Sequence, residues 1–342
     1  MTRSPDVAVV GGGIVGLAAA DALARGGADV VVLERSTPGS GQSAGEARGF
    51  RHLHATAAQI AEAVRARAGW DAWSVRAGEP LVGEEGALRL GGDVAEDAAR
   101  LRAAGVAAEV VERAGDRQPA LHDDAGPLLW DPRGGAIRAR RTIEWLRSEL
   151  RDRVRRTEVV GLDSGGLATT DGPLRCGHAV LCAGAGTERL WPHVTMRRVV
   201  HLRVTFAAPA AGPSWGGATW ADRSGRFGAL TYGVADGPGR FALGLAELDR
   251  QPAPADPVAD VVGPGVDLDA VRARVHACAR EAFPGLGPPL DEVVRLLTVM
   301  RGGDEDAYSL DRRPGLTVVA GHNLFKLAPL LGEEIAEAAG WP

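Results

Sequence analysis

The chain is poor in several residue types that usually announce a function. It has one lysine, Lys326, although Lys and Arg together number 39, so every other strong base is arginine. Three cysteines, Cys176, Cys182 and Cys278, show no metal-ligand spacing and cannot all pair. That excludes a disulfide framework and a zinc ribbon, and leads us to expect reduced thiols in a cytoplasmic protein. No apolar run reaches the ~18 residues of a membrane span. The apolar N-terminal stretch is broken by Gly11, Gly12, Gly13 and Gly16 and followed by Asp21 and Arg25, unlike a signal peptide. The net charge of −5 comes without a basic block, which gives no footing for nucleic acid.

What is present is a chain of 342 residues with 45% hydrophobic and 24% charged residues, a length that suits two domains. Val7 to Val10 is a short continuous apolar run, as in a parallel strand covered on both faces. Ile14 to Ala24 has a helical pattern stopped by Gly26 and Gly27, and Ala28 to Arg35 reads as a second buried strand. This is a βαβ unit. Its turn carries Gly11-x-Gly13-x-x-Gly16, and Glu34 ends the second strand 18 residues later. Gly11 allows the tight turn, Gly13 lets backbone approach a pyrophosphate, and Gly16 lets helix and strand pack closely. The helix N-terminus offers free N–H groups and a positive dipole. The Glu34 carboxylate suits ribose hydroxyls and would repel a 2′-phosphate, which favours FAD or NAD over NADP.

The same grammar returns in "RCGHAVLCAGAGTERL" (175–190), as strand, glycine turn and helix. It lacks a third glycine at the right spacing and no acidic strand end follows it. We therefore expect one dinucleotide site, not two. Elsewhere, helices are expected at 55–68, 94–104, 267–282 and from Pro329 onward. Strands are expected at 86–91, 108–113 and through most of 196–247, and a proline-rich loop at 251–265.

Three segments resemble the DAO-type FAD-dependent amine oxidoreductases, most closely monomeric sarcosine oxidase and N-methyltryptophan oxidase. "GQSAGEARGFRH" (41–52) places Gly41, Gly45, Glu46, Arg48, Arg51 and His52 in that family's spacing. "DEDAYSLDRRP" (304–314) resembles its Asp-Glu-Asp segment with one extra residue, and "VVAGHNLFKLAPLLGEEIAE" (318–337) its final flavin-contacting loop and helix. The resemblance implies an α/β fold: a Rossmann-like FAD-binding domain of the glutathione-reductase type, with an inserted α+β substrate domain built on an antiparallel sheet. The expected boundaries are 1–55, 140–191 and 290–342 for the FAD domain, and 56–139 and 192–289 for the substrate domain.

It also implies roles. Gly11, Gly13, Ile14, Val15, Gly16, Glu34, Arg35, Ser43, Ala44, Gly45, Val159, Ala183, Gly184, His322, Asn323, Leu324 and Phe325 would contact FAD. Arg48 would lie over the flavin, and Arg51 and Lys326 would hold a substrate carboxylate, with Lys326 alternatively touching the flavin C2 carbonyl. Tyr232 would face the substrate, with Trp215 and Trp220 as possible walls of the pocket. His52, His54, His201 and His322 are candidates for proton transfer.

The sequence departs from this family at three places. No cysteine follows Cys278, and Leu297 or Thr298 stands where covalent members attach flavin, so we expect non-covalent FAD. Ser43 and Ala44 replace a pair of histidines. Ala242, or its neighbour Phe241, replaces a lysine that speeds reaction with dioxygen; Arg226, Arg240 and His201 are the candidate substitutes. The expected function is oxidation of a C–N bond of an amino acid or secondary amine by hydride transfer to flavin N5. Dioxygen or another acceptor would reoxidise the flavin, with no nucleic-acid or membrane partner. The alternatives are a tailoring flavoenzyme performing desaturation or oxidative cyclisation on an amine-bearing substrate, a flavin hydroxylase or halogenase, and a flavin-binding protein without catalysis.

Overall fold

The computed structural model describes residues 4–122, 124–163, 166–209, 215–246, 267–301 and 306–341. The expected proline-rich loop at 251–265 and the first two residues of "DEDAYSLDRRP" lie outside them. In chain order the elements are β1 (Val7–Val10), α1 (Ile14–Arg25), β2 (Val30–Glu34), β3 (Ala47–Phe50), α2 (Ala57–Ala77), β4 (Ala87–Leu90), α3 (Val94–Ala103), β5 (Glu109–Val111), β6 (Leu128–Asp131), β7 (Gly135–Arg138), α4 (Ala139–Glu149), β8 (Val154–Arg156) and β9 (Val159–Asp163). They continue with β10 (Gly166–Thr169), β11 (Gly172–Arg175), β12 (His178–Leu181), α5 (Thr187–Leu190), β13 (Met196–Ala207), β14 (Thr219–Asp222), β15 (Thr231–Ala235), β16 (Arg240–Leu245), α6 (Leu268–Ala282), β17 (Pro289–Met300), β18 (Tyr308–Arg313), β19 (Leu316–Gly321) and α7 (Ala328–Ala338).

The chain divides into two compact units. Met1–Gly45, Ala139–Arg197 and Leu297–Pro342 make the first, and Glu46–Arg138 with Arg198–Leu296 the second. In the first, a six-stranded sheet runs β18-β19-β12-β1-β2-β8. β1 pairs in parallel with β2 on one side and with β12 on the other, Val10 facing Leu33 and Leu181. All four residues of β1 are buried, as a parallel strand covered on both faces requires. Only β18 runs antiparallel, against β19. Helix α7 lies against α1 so closely that a Cβ on Gly332 would come 2.8 Å from the Ala18 carbonyl oxygen. The segment "RCGHAVLCAGAGTERL" is confirmed as β12, a glycine turn and a helix, although α5 is a single turn.

The second unit is built on an eight-stranded sheet, β17-β13-β16-β15-β14-β4-β6-β5. Its described registers are antiparallel except for β4 with β14, which run parallel. Strand alternation splits this sheet into two faces. Leu202, Val204, Phe206, Phe241, Leu243 and Leu245 point into one core with Val271, Val275 and Ala282 of α6. The opposite face carries His201, Arg203 and Thr205 of β13, Tyr232 of β15, and Ala242 and Gly244 of β16. Helix α2 extends to Ala77, beyond the expected stop at 68, because Trp70 and Trp73 are buried along its last turns. Thr56 and Gln59 form a reciprocal capping box at its start. Among the described residues no helix is long and apolar enough to cross a membrane.

Two outcomes follow. Phe241 is fully buried and its ring meets that of Phe283 at 5.4 Å. Phe241→Ala is expected to cost about 3–5 kcal/mol of unfolding free energy, read by urea titration. Burial in apolar surroundings pushes the Cys182 thiol up to about 12. The folded state keeps that proton and the unfolded chain releases it near the ordinary thiol value. This contribution to stability is whole below about pH 8.5 and is lost as pH rises toward the folded value. At about pH 8, iodoacetamide should leave Cys182 unmodified in the native protein and modify it after denaturation, as read by mass spectrometry.

Candidate cofactor and substrate site

The first unit holds a cradle at the start of α1. Gly11 has φ +102°, and a Cβ there would lie 2.5 Å from the Cys182 carbonyl oxygen, so the turns after β1 and β12 touch backbone to backbone. A Cβ on Gly16 would overlap the Gly11 carbonyl oxygen, so only glycine lets α1 start this close to β1. The Ile14 amide donates to Ser43 Oγ at 3.0 Å. The Val15 and Gly16 amides, next along the helix, find no backbone or side-chain acceptor among the described residues. Two outward N–H groups at a positive helix end suit an anion.

Glu34 closes the other side. Its Oε2 accepts from the Gly12 amide at 2.7 Å, and its Oε1 accepts from the Ser36 amide at 2.8 Å. Oε1 also accepts from the Ser36 hydroxyl at 3.2 Å, and with about two lone-pair positions per oxygen it is Oε2 that keeps capacity for a further hydroxyl. Beside them lies an open cleft lined among others by Val10, Gly11, Glu34, Arg35, Val159 and Ala183. At its edge Glu158 accepts from Arg189 at 2.9 Å and stands 3.9 Å from Arg35. Apolar walls, a carboxylate and free amides at a helix start fit the adenosine and pyrophosphate of a dinucleotide. The second glycine segment contributes Ala183, Gly186 and Arg189 to this same cleft. Cys182, buried with a raised thiol pKa, is neither ligand nor nucleophile there.

The C-terminal part of the same unit places Lys326. A 3-10 turn, Leu324–Leu327, leads into α7 with Pro329 in the first helical turn. Lys326 is 3% exposed, and its Nζ donates to Asp306 Oδ1 at 2.8 Å. Asn323 Nδ2 donates to the same oxygen at 2.8 Å. Asn323 holds φ +55°, the only positive φ outside glycine among the described residues, and asparagine tolerates that region better than most. His322 and Phe325 are buried beside it. The lone lysine is therefore a fixed donor whose charge is already met by a carboxylate. Thr298 receives the Gln42 side-chain amide on its hydroxyl at 3.1 Å.

In the second unit the candidates fall into separate neighbourhoods. Arg48, on β3, donates to the Ala47 carbonyl at 2.8 Å. Burial lowers its pKa well below the ordinary guanidinium value, the charges of Arg295 and Arg203 add to this, and Asp236 opposes them. Arg51, just past β3, lies near enough to Arg89 for the two charges to oppose each other. Tyr232 packs on His201 with ring centroids 5.1 Å apart. Its hydroxyl is buried and has no hydrogen-bond partner among the described residues. It passes directly over Gly244, where any Cβ would collide with it.

Other candidates turn out to be structural. His52 Nδ1 meets Asp131 at 2.8 Å, both buried, and Asp131 also takes the amides of His52, Arg133 and Gly134. These bonds fix the turn after β3. Trp220 belongs to the α6 side of the sheet and donates to Thr231 Oγ1 at 3.0 Å. Trp215 lies against the opposite-face cluster that holds Ala242, with the Arg138 guanidinium 3.7 Å from its ring centroid. Ala242 is fully buried in an apolar cluster with Ala47, Ala136, Val234 and Ala235. Arg240 pairs with Asp291 and Arg226 donates to the Ala125 carbonyl. Sequence reasoning missed Asp306, Arg203, Arg295 and Asp131. Asp306 lies in the segment "DEDAYSLDRRP", but its pairing with Lys326 is not marked there, and nothing in the local sequence marks the other three. Among the described residues no group of three or more His, Cys, Asp or Glu is placed to hold a metal ion.

Comparison with known proteins gives this geometry a family. NikD, "an unusual amino acid oxidase essential for nikkomycin biosynthesis", superposes with a TM-score of 0.82 at 24% identity, covering 99% of this chain and 94% of that one. L-proline dehydrogenase from P. horikoshii gives 0.81 at 19% identity, over 98% and 93%. Glycine oxidase from Geobacillus kaustophilus gives 0.80 at 22% identity, over 99% and 95%. At these identities the likeness is one of fold. No curated protein sequence matches significantly. The family model for DAO, FAD dependent oxidoreductase, matches residues 6–338, and the chain belongs to that family.

Proposed function

We propose that this FAD-dependent oxidoreductase oxidises a carbon–nitrogen bond of an amino acid or secondary amine, with FAD held non-covalently by the first unit. The observation that carries this reading is the polar face of the second unit's sheet. There the Tyr232 hydroxyl is buried beside His201 without a hydrogen-bond partner among the described residues, over a glycine that leaves it room. A buried hydroxyl left unpaired costs free energy, and a bound polar ligand would recover it. NikD, glycine oxidase and L-proline dehydrogenase, all alike in fold, are by name an amino acid oxidase, an oxidase of glycine and a dehydrogenase of proline, which supports an amine or amino-acid substrate.

Bound FAD supplies a two-electron acceptor for the hydride that leaves the carbon next to nitrogen. The Val15 and Gly16 amides hold the pyrophosphate, and Glu34 takes the ribose hydroxyls while repelling a 2′-phosphate. Arg35, Ser43, Ala44, Gly45, Val159, Ala183 and Gly184 line the remaining length, with the turn from His322 to Phe325. Arg48 sets a fixed cation where negative charge develops on reduction. The planar fork of Arg51 takes the substrate carboxylate through two parallel hydrogen bonds. Lys326, held by Asp306, contributes a directed donor rather than net charge. Tyr232 donates to the substrate and fixes its tilt. The imine product leaves to hydrolyse in water.

A second reading rests on Ala242. This buried alanine, in an apolar cluster, stands where the resemblance calls for a lysine that speeds reaction with dioxygen, which favours a slow oxidase, a dehydrogenase with another acceptor, or a tailoring enzyme performing desaturation or oxidative cyclisation.

Anaerobic mixing with a panel of amino acids, N-methyl amino acids and amines should bleach the visible flavin band. Failure of every amine to bleach it would sink the reading. Bleaching with sluggish recovery on aeration, and little hydrogen peroxide, would favour the acceptor-dependent alternative. Acid precipitation should release all yellow colour to the supernatant, whereas colour kept in the pellet would contradict non-covalent binding. Arg51→Met should raise KM for a carboxylate-bearing substrate about 10- to 100-fold with a smaller change in kcat, by steady-state kinetics. Glu34→Gln should weaken FAD binding about 10-fold, by fluorescence titration of the apoprotein.

A further inference from the structure

The second unit's sheet carries a charge arrangement that its folding does not explain. Arg203, on β13, is 6% exposed and donates to Asp236 Oδ1 at 2.9 Å and to the Ala47 carbonyl at 3.3 Å. The Thr205 hydroxyl donates to the other Asp236 oxygen at 3.3 Å. Asp236 is thus engaged by β13. Arg295 stands on β17, the neighbouring strand, and is only partly exposed. No hydrogen bond or ion pair joins it to a described residue. Burial and then the charge of Arg203 hold its pKa down at about 10, with Asp236 opposing. A guanidinium drawn out of water beside a second guanidinium costs the fold free energy, and an apolar side chain would fill the place at lower cost. Its planar fork matches a two-oxygen anion.

We propose that Arg203 and Arg295 form a binding site for a small carboxylate-type anion, with Asp236 and Thr205 bracing Arg203. Arg48, on β3, adjoins these two guanidiniums, whose charges act on it. The anion has two sources: an acidic group on the substrate, or a free anion bound independently of it. The proposal does not depend on which bond the enzyme oxidises.

Calorimetric titration of the holoenzyme with benzoate, against benzamide as a neutral match in shape, tests it. Benzoate should bind saturably and benzamide should not. Arg295→Met should weaken benzoate binding about 10- to 100-fold and Arg295→Lys by less. Thermal melting checks that each variant is folded. Because Arg203→Met alone strands Asp236, the double variant Arg203→Met with Asp236→Asn gives the second arm and should also lose benzoate. Absence of benzoate binding to the wild type, equal binding of benzamide, or undiminished binding by Arg295→Met would overturn the proposal. With binding established, kcat/KM for an amino acid is compared with that for its decarboxylated amine. A preference for the acid that shrinks in Arg295→Met identifies the substrate's acidic group as the occupant, and an unchanged preference identifies a free anion. Binding is read without turnover, so failure to find an amine substrate leaves this test intact.

Discussion

The backbone of Gly11 passes so near the Cys182 carbonyl that no side chain fits between them. Everything in the first unit's cradle depends on that approach. It brings the turns after β1 and β12 together, in the register that sets Val10 beside Leu181. It points the start of α1 away from the sheet with the Val15 and Gly16 amides unspent. It also lets Ala183 and Arg189, from the second glycine segment, wall the same cleft as Glu34. A side chain at Gly11 would push the two strands apart and close the cleft from both sides. The repeated strand–glycine–helix grammar thus describes two walls of one cleft.

Buried charge is the second organising element. Glu85, its side chain fully buried, meets Arg138 at 2.9 Å. His52 meets Asp131, Lys326 meets Asp306, and Arg203 meets Asp236. Such pairs add little net stability, because desolvation cancels most of their attraction, but removing one partner is costly. They fix side chains in place more than they hold the fold together. Against that pattern Arg295, a half-buried cation without a described partner, stands apart, as does the unpaired hydroxyl of Tyr232.

The parts of this architecture that were legible in sequence are those encoded locally. β1, α1 and β2 follow from an apolar run, a helical period and glycine punctuation within 30 or so residues. Glu34 could be assigned because it ends a strand at a fixed distance from the glycines. α2 was read short because Trp70 and Trp73, which bury its later turns, do so against tertiary neighbours that the local period does not announce. The two faces of the large sheet were invisible. Which face Arg203 and Tyr232 share depends on registers of β13, β15 and β16 with partners up to 40 or so residues away. The pairing of Asp306, though its segment was marked, was illegible for the same reason: it exists only once Lys326 and Asn323 are folded against it.

The account's central claim is that two glycine segments make one dinucleotide site. Equilibrium titration of the apoprotein with FAD, followed by quenching of flavin fluorescence and by calorimetry, tests it most directly. One FAD per chain, with no heat from NAD or NADP added to the saturated protein, is the predicted result. Saturable binding of a second dinucleotide to the FAD-loaded chain would contradict it.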